Sequence, residues 1–462
     1  MNMTRSRRTV LALALGAALV SGCSMIPKYQ RPAAPVPADW PQASAPAGTP
    51  AADVPWQQFF ADARLQQLIA AALSNNRDLR IAVLNIEQAR AQYDIRRADL
   101  LPTLGASAGA ARAPNSSGKL TNNYTVGLGF SAWEIDLFGR IGSLSQAALA
   151  QFLATEEGRK AAQISLVASV ATTWLAIVAD DELLALTRET LATREESLRL
   201  VRLRFDNGVT SELDLRQAQS LAEAARVSLA QLARQRALDV DALALLIGQA
   251  VPAETLTQVS TAALTFPDVP AGTPSDVLAG RPDVRAAEQQ LVAANANIGA
   301  ARAAFFPRIS RTSAVGTASG ELSGLFKGGS WAFTASSQLL QPIFDSGRNR
   351  AGLASATIGR DIAIAQYERA IQSAFREVSD ALAGRATYGE QLRAQAAVAD
   401  AEAVRYRLSD LRYQNGVASY LDLLDAQRSL FAARQALVQT RLQQLQNQVL
   451  LYRALGGGWT GS

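Results

Sequence analysis

Histidine is absent from this 462-residue chain, and cysteine occurs once. The first absence removes the commonest general base and the commonest metal ligand. Serine and cysteine hydrolases that rely on a His base are excluded with it. The single cysteine excludes an internal disulfide framework and any Cys-rich zinc or iron–sulfur site. A strong excess of one charge is also missing. The formal net charge is +5, but Arg5, Arg7 and Arg8 lie in the first eight residues, and setting them aside leaves +2. No basic run marks a nucleic-acid partner. No phosphate-binding Gly loop and no metal-ligand cluster occurs, so the chain reads as a non-enzyme with no cofactor beyond a covalent lipid. What it has in quantity is apolar residues, 48% of the chain, enough for a large buried core.

The N-terminus reads as a leader. A short basic start precedes an eleven-residue apolar run (VLALALGAALV, residues 10–20), then Ser21, Gly22 and Cys23. The run is too short to span a bilayer and fits a secretory signal peptide over 1–22. Val20-Ser21-Gly22-Cys23 resembles a bacterial lipoprotein processing site, which makes Cys23 the lipidated first residue of the mature chain. Ser24 rather than Asp follows it, as in lipoproteins sorted to the outer membrane. Each buried acyl CH₂ contributes roughly 0.8 kcal/mol, so several chains make a firm anchor. Eight of the seventeen prolines fall in residues 24–55, so 23–55 reads as an extended, semi-rigid tether. The most apolar later stretch, 164–179, is interrupted by Ser165, Ser169, Thr172 and Thr173 and reads as a buried helix face, not a span.

The chain is internally duplicated. Asn207-Gly208-Val209-Thr210-Ser211-Glu212-Leu213-Asp214-Leu215 recurs as Asn415-Gly416-Val417-Ala418-Ser419-Tyr420-Leu421-Asp422-Leu423. Gly139-Arg140 recurs as Gly347-Arg348 at the same offset of 208, and Asp78…Pro102 as Asp283…Pro307 at an offset of 205. The two repeats run over 56–250 and 283–456, with a linker or equatorial segment at 251–282 and a tail at 457–462. Each predicts a helix (79–101; 284–306), a Gly/Ser/Thr-rich stretch, a long helix (143–206; 351–413), a Gly turn and a second helix (212–247; 420–455). Val170, Ile177, Leu184, Leu191, Leu198 and Phe205 form an apolar column at seven-residue steps, the mark of a coiled-coil seam. Its counterpart in the second half is broken once, by Arg385, near Gly384 and Gly389.

The Gly-rich stretches (103–138; 308–344) read as strand pairs. Residues 124–131 alternate apolar with small or polar side chains, as do 331–336 more weakly; their partners are 103–112 and 308–319. Strands of this length and pattern fit an outer-membrane barrel, while two soluble hairpins are the plainer alternative. The fold class is therefore mainly α with a small β part. Four strands cannot close a barrel, and open edges cannot face lipid. Two copies would give a lumen mostly filled by side chains, and three copies a twelve-stranded channel.

The lipoprotein site, Tyr29…Pro32…Trp40, the duplicated Asn-Gly-Val-x-Ser-x-Leu-Asp-Leu turn and Leu-Leu-Asp-Ala-Gln at 423–427 resemble the TolC/OprM outer-membrane factor family, nearest its lipoprotein (NodT) branch. The resemblance implies a homotrimer with a twelve-stranded barrel and an α-helical periplasmic tunnel. It also implies a passive conduit, docked on a periplasmic membrane-fusion adaptor and an inner-membrane pump, often of the resistance–nodulation–division type. It places the adaptor contact at Gly208, Val209, Thr210, Ser211, Gly416, Val417, Ala418 and Ser419. The closed aperture falls at Leu421, Asp422 and Asp425: an acidic ring attracts cations and an apolar ring excludes water. Helix capping is the competing role for Asp214 and Asp422, but not for Asp425, whose repeat mate is Gln217; for the aperture residues the plainer alternative is a solvated acidic helix start favoured by the macrodipole. Other cargoes, protein or metal ions, fit the same fold; a periplasmic coiled-coil scaffold or adaptor lipoprotein is the competing class.

Overall fold

The computed structural model describes residues 24–41, 49–256 and 259–459. In chain order the elements are α1 (Trp56–Phe59), α2 (Ala63–Asn75), α3 (Arg77–Ala98), β1 (Gly105–Pro114), β2 (Leu120–Ile135), α4 (Arg140–Asp206) and α5 (Glu212–Ile247). Next come α6 (Pro274–Gly280), α7 (Pro282–Ala303), β3 (Arg308–Ser319), β4 (Trp331–Leu340), α8 (Arg348–Gln414) and α9 (Tyr420–Ala454). The duplication is visible in the boundaries themselves: α7 starts and ends 205 residues after α3, and α8 starts and ends 208 after α4. Each long helix has 67 residues, about 100 Å of rise at 1.5 Å per residue.

One compact unit holds the described residues 24–34, 84–157 and 285–369. Its sheet has the order β1-β2-β3-β4, antiparallel throughout, so β1 and β4 are unpaired edges. Register sorts the side chains into two faces. One carries the rows Ala106–Leu128–Val315–Phe333 and Ala108–Val126–Thr317–Trp331. The other carries Ser107–Gly127–Gly316–Ala332 and Gly105–Gly129–Ala314–Thr334. Neither face has a core: β1 and β4 are exposed almost throughout. A Cβ on Gly127 would lie 2.7 Å from the Val315 carbonyl oxygen, and one on Gly316 would overlap that of Val126. The crowding is on the small-residue face, where strands converge when a sheet curls.

β2 is longer than the alternation in 124–131 predicts, because it runs on through a bulge. The register shifts between Phe130 and Trp133, and Ala132 takes a φ of 54°. A bulge adds one residue and re-aims the side chains beyond it. Phe130 and Trp133, three apart, thereby share one face, with ring centroids 6.1 Å apart.

The tether in this unit is not a free spacer. Arg31 forms a two-point ion pair with Glu288 at 2.6 Å, and Tyr29 donates to the same carboxylate at 3.1 Å. Asn295 donates to the Pro27 carbonyl and Arg302 to that of Met25. Gly299 has no side chain because Ile26 and Ser143 occupy the space. Residues 25–31 thus run antiparallel along α7, from Met25 near its C-terminal end, which leads into β3, to Arg31 near its N-terminal end.

The second unit, whose described residues are 35–41, 49–83, 158–256, 259–284 and 370–459, holds the main core. Phe59 stacks on Tyr452 with centroids 4.0 Å apart, and Trp40 stacks on Phe375 at 4.8 Å. Val170, Ile177 and Leu184 of the predicted column are buried, as is Val378 of its counterpart. The break at Arg385 has a cause: its guanidinium donates to the Val269 carbonyl, holding the linker segment. Gly384 lets the Asn447 side chain approach and donate to Ala381, so α8 is continuous through both glycines. One helix among the described residues, α4, is long and apolar enough to cross a membrane, and its most apolar window is mostly buried within the protein.

Candidate functional site: two helical turns and an acidic helix face

Both hairpin turns are built by the same physics. Gly208 and Gly416 take φ of 72° and 71°, the left-handed region open to glycine. Val209 N–H donates to Arg204 O and Val417 N–H to Arg412 O, both at 2.9 Å, closing the orphan carbonyls of the long helices. The Asn207 and Asn415 amides each donate back to a helix carbonyl at 2.7 Å. Full capping boxes then start α5 and α9: Ser211 with Asp214, and Ser419 with Asp422. Val209 and Val417 are 73% and 66% exposed.

Below the second turn, Leu423 and Leu424 pack into a small core with Tyr420, Val201, Leu215 and Leu221. Leu421, Asp422 and Asp425 are all exposed, so α9 presents them away from that core. Asp422 is occupied as a cap: its carboxylate accepts from the Ser419 hydroxyl at 2.8 Å and from the Ser419 N–H at 3.1 Å. The hydroxyl, then the N–H, hold its pKa below the ordinary carboxylate range. Thr210 and then Ser211 do the same for Asp214. Asp425 serves no cap. It pairs across to Arg405 of α8, which also reaches Glu402 at 3.1 Å and Ser429 at 3.3 Å.

Arg405 is a residue that sequence reasoning missed. A signal was available: at the offset of 208 its mate is Ser197, and that of Asp425 is Gln217, so the duplication breaks at both partners of one ion pair. The halves are also joined here. Ser197 and Tyr420 hydroxyls lie 3.0 Å apart, and Arg204 donates to the Tyr413 hydroxyl at 2.6 Å. Cys23 lies outside the described residues.

A sheet with one apolar face, one small-residue face and two open edges, on a chain carrying two 67-residue helices, defines a membrane-channel subunit. Comparison with known proteins agrees. The family model described as outer membrane efflux protein matches residues 68–249 and 273–457. The solvent efflux pump outer membrane protein SrpC of Pseudomonas putida is 47% identical, over 96% of this chain and 97% of its own. The outer membrane protein OprJ of Pseudomonas aeruginosa is 45% identical, over 97% and 95%. Among solved structures, the open state of the Neisseria gonorrhoeae MtrE outer membrane channel superposes with a TM-score of 0.87 at 41% identity, covering 95% of this chain and 99% of that one. The chain belongs to the outer membrane efflux protein family. It is an outer-membrane channel protein of efflux systems, not an enzyme.

Proposed function

We propose that three copies close a twelve-stranded barrel and form a passive exit conduit for small organic solutes, completed by a periplasmic adaptor and an inner-membrane pump, of the resistance–nodulation–division type by resemblance. The observation that carries this reading is the sheet. Unpaired β1 and β4 edges cannot face lipid. Pairing β4 of one copy with β1 of the next satisfies them and puts the Leu128–Val315–Phe333 row outside and the Gly127–Gly316 row inside. Eight strands would leave a lumen filled by side chains; twelve leave a channel. Relatives named for solvent and antibiotic efflux support organic cargo over protein or metal ions.

The exposed tips, Gly208, Val209, Thr210, Ser211, Gly416, Val417, Ala418 and Ser419, are the adaptor contact in this reading. Leu421 and Asp425, with Asp422 beside them, form rings of three at the periplasmic mouth. The Arg405 pair supports Asp425 as a switchable member: released from Arg405, it presents an uncompensated charge. The lipid anchor on Cys23 fits the position of Met25, which lies at the end of α7 that leads into β3.

Cross-linked outer-membrane protein should run as a trimer. In planar bilayers, Asp425→Ala should raise single-channel conductance. Unchanged conductance in the Ala variants of Leu421, Asp422 and Asp425 alike removes the aperture assignment; a monodisperse single subunit in detergent removes the conduit. Labelled palmitate should enter wild-type protein and be absent from Cys23→Ser.

A further inference from the structure

Within the second unit, α4, α8 and α9 enclose a cleft of about 160 Å³. Arg194 of α4 lines it and is 6% exposed. One guanidinium nitrogen, Nη1, donates to the Leu221 carbonyl at 3.1 Å, and the Nε has no hydrogen-bond partner. The guanidinium sits 5.2 Å from the centre of the Phe431 ring. No carboxylate among the described residues pairs with it. Burial, and then the nearby Arg428 charge, push its pKa below the ordinary arginine value. A buried cation with a neighbouring cation and no carboxylate paired to it is costly, and its field favours a counter-anion; Glu189, the carboxylate of the lining, pairs with Arg434 at 3.9 Å.

The rest of the lining specifies what kind of anion. Leu186, Tyr406, Leu430 and Phe431 supply apolar and aromatic surface, and the buried Gln427 Oε1 is without a partner. A cavity of about 150 Å³ holds one benzene ring, so the volume suits one ring with a small charged group. A lone inorganic ion would leave the aromatic lining unfilled, and a neutral ring would leave Arg194 uncompensated.

We propose that this cleft is a binding site for a small aromatic carboxylate, with the carboxylate on the Arg194 guanidinium and the ring against Tyr406, Leu430 and Phe431. Arg194 is internal to one chain, so the site is complete without a second copy and independent of the aperture assignment. A bound ring holds α4, α8 and α9 at the spacing the cleft requires, and so favours that arrangement of the helices below the turns.

The test is isothermal titration of benzoate into full-length channel in detergent. Saturable binding at one site per chain is expected, at least tenfold tighter than benzamide or acetate. Arg194→Gln should weaken it at least tenfold, and Arg199→Gln, an exposed surface pair with Glu196, should leave it unchanged. Ala403→Met fills the cleft and keeps the guanidinium, and should give the same loss if Arg194→Gln does not fold. Failure to saturate by about 10 mM benzoate, equal binding of benzamide or of acetate, or affinity unaffected by either cleft variant overturns the site.

Discussion

The two glycines at the centre of the sheet give the most direct test of how the strands curl. Gly127 and Gly316 face each other across β2 and β3. An alanine at 127 would put its Cβ 2.7 Å from the Val315 oxygen, where ordinary contact begins at 3.4 Å, so the strands must part by about 0.7 Å. The obstacle is backbone, which no rotamer change relieves. Overpacking of this kind costs about 1–3 kcal/mol per chain, and the penalty recurs in every copy of an assembled ring. Gly316→Ala should cost more, since its Cβ overlaps the Val126 oxygen. Gly389→Ala is the control. Nothing lies within 4 Å of its Cβ and it is mid-helix in α8, so the variant should be neutral or more stable by about 0.5–1 kcal/mol. The assay is thermal melting of the β signal in purified detergent-solubilised protein, with the yield of channels inserted into planar bilayers. If Gly127→Ala and Gly316→Ala melt with the wild type and insert as often, the crowded face is not the inside of a curled sheet.

Other expectations concern the helices. Gly208→Ala and Gly416→Ala meet no neighbouring atom, so each should cost only the left-handed backbone term, about 1–2 kcal/mol, read by denaturant melting of the helical signal. Asp214 and Asp422 have lowered pKa values, so their caps stabilise above the ordinary carboxylate pKa and lose that contribution as pH falls through the lowered folded values. The protection factors of amides in the first turns of α5 and α9, taken against the intrinsic exchange rate at each pH, should fall below about pH 4, and Ser211→Ala or Ser419→Ala should cost about 1 kcal/mol at pH 7. Asp180 has the opposite sign. Burial, then its contact with Asp239 and the Asp181 charge, raise it to about 7 against the pull of Arg236, so its contribution is present at acid pH and lost as pH rises toward 7. Asp180→Asn should melt above the wild type at pH 8 and with it at pH 4; a lower melting point at pH 8 refutes the assignment.

The helices were legible because their signal is long-range and redundant. A seven-residue column and a repeated Asn-Gly turn both point to the same hairpins, and the observed ends fall within three residues of the expected ones. The sheet was legible only in part. β2 extends to Ile135 because the bulge at Ala132 breaks strict alternation, and a period-2 pattern cannot report a residue that steps out of register. The tether was read from proline content, which reports stiffness and says nothing of docking. Its grip on α7 depends on Arg31, Tyr29 and Asn295 meeting partners more than 250 residues away.

The site divides along the same line. Capping by Asp214 and Asp422 could be read from spacing, since a Ser three residues before an Asp is a local signal. The Arg405–Asp425 pair could not, because it joins two helices across the turn. Yet the duplication converts this into something sequence can show. Two halves that share a backbone plan need the same residues wherever the role is structural, so both keep the Asn, the Gly, the Ser and the Asp of the turn. Where the halves part company at both ends of one contact, as Ser197 and Gln217 do from Arg405 and Asp425, shared architecture no longer accounts for the residues. Such a pair answers to something only one turn does, and in the proposed conduit that is closing the mouth. A swap tests the logic: Arg405→Ser with Asp425→Gln gives the second hairpin the first hairpin's chemistry. It should keep the fold, because the first hairpin is helical with those residues, and should raise conductance as Asp425→Ala does. A swap that unfolds α9 would make the pair structural after all.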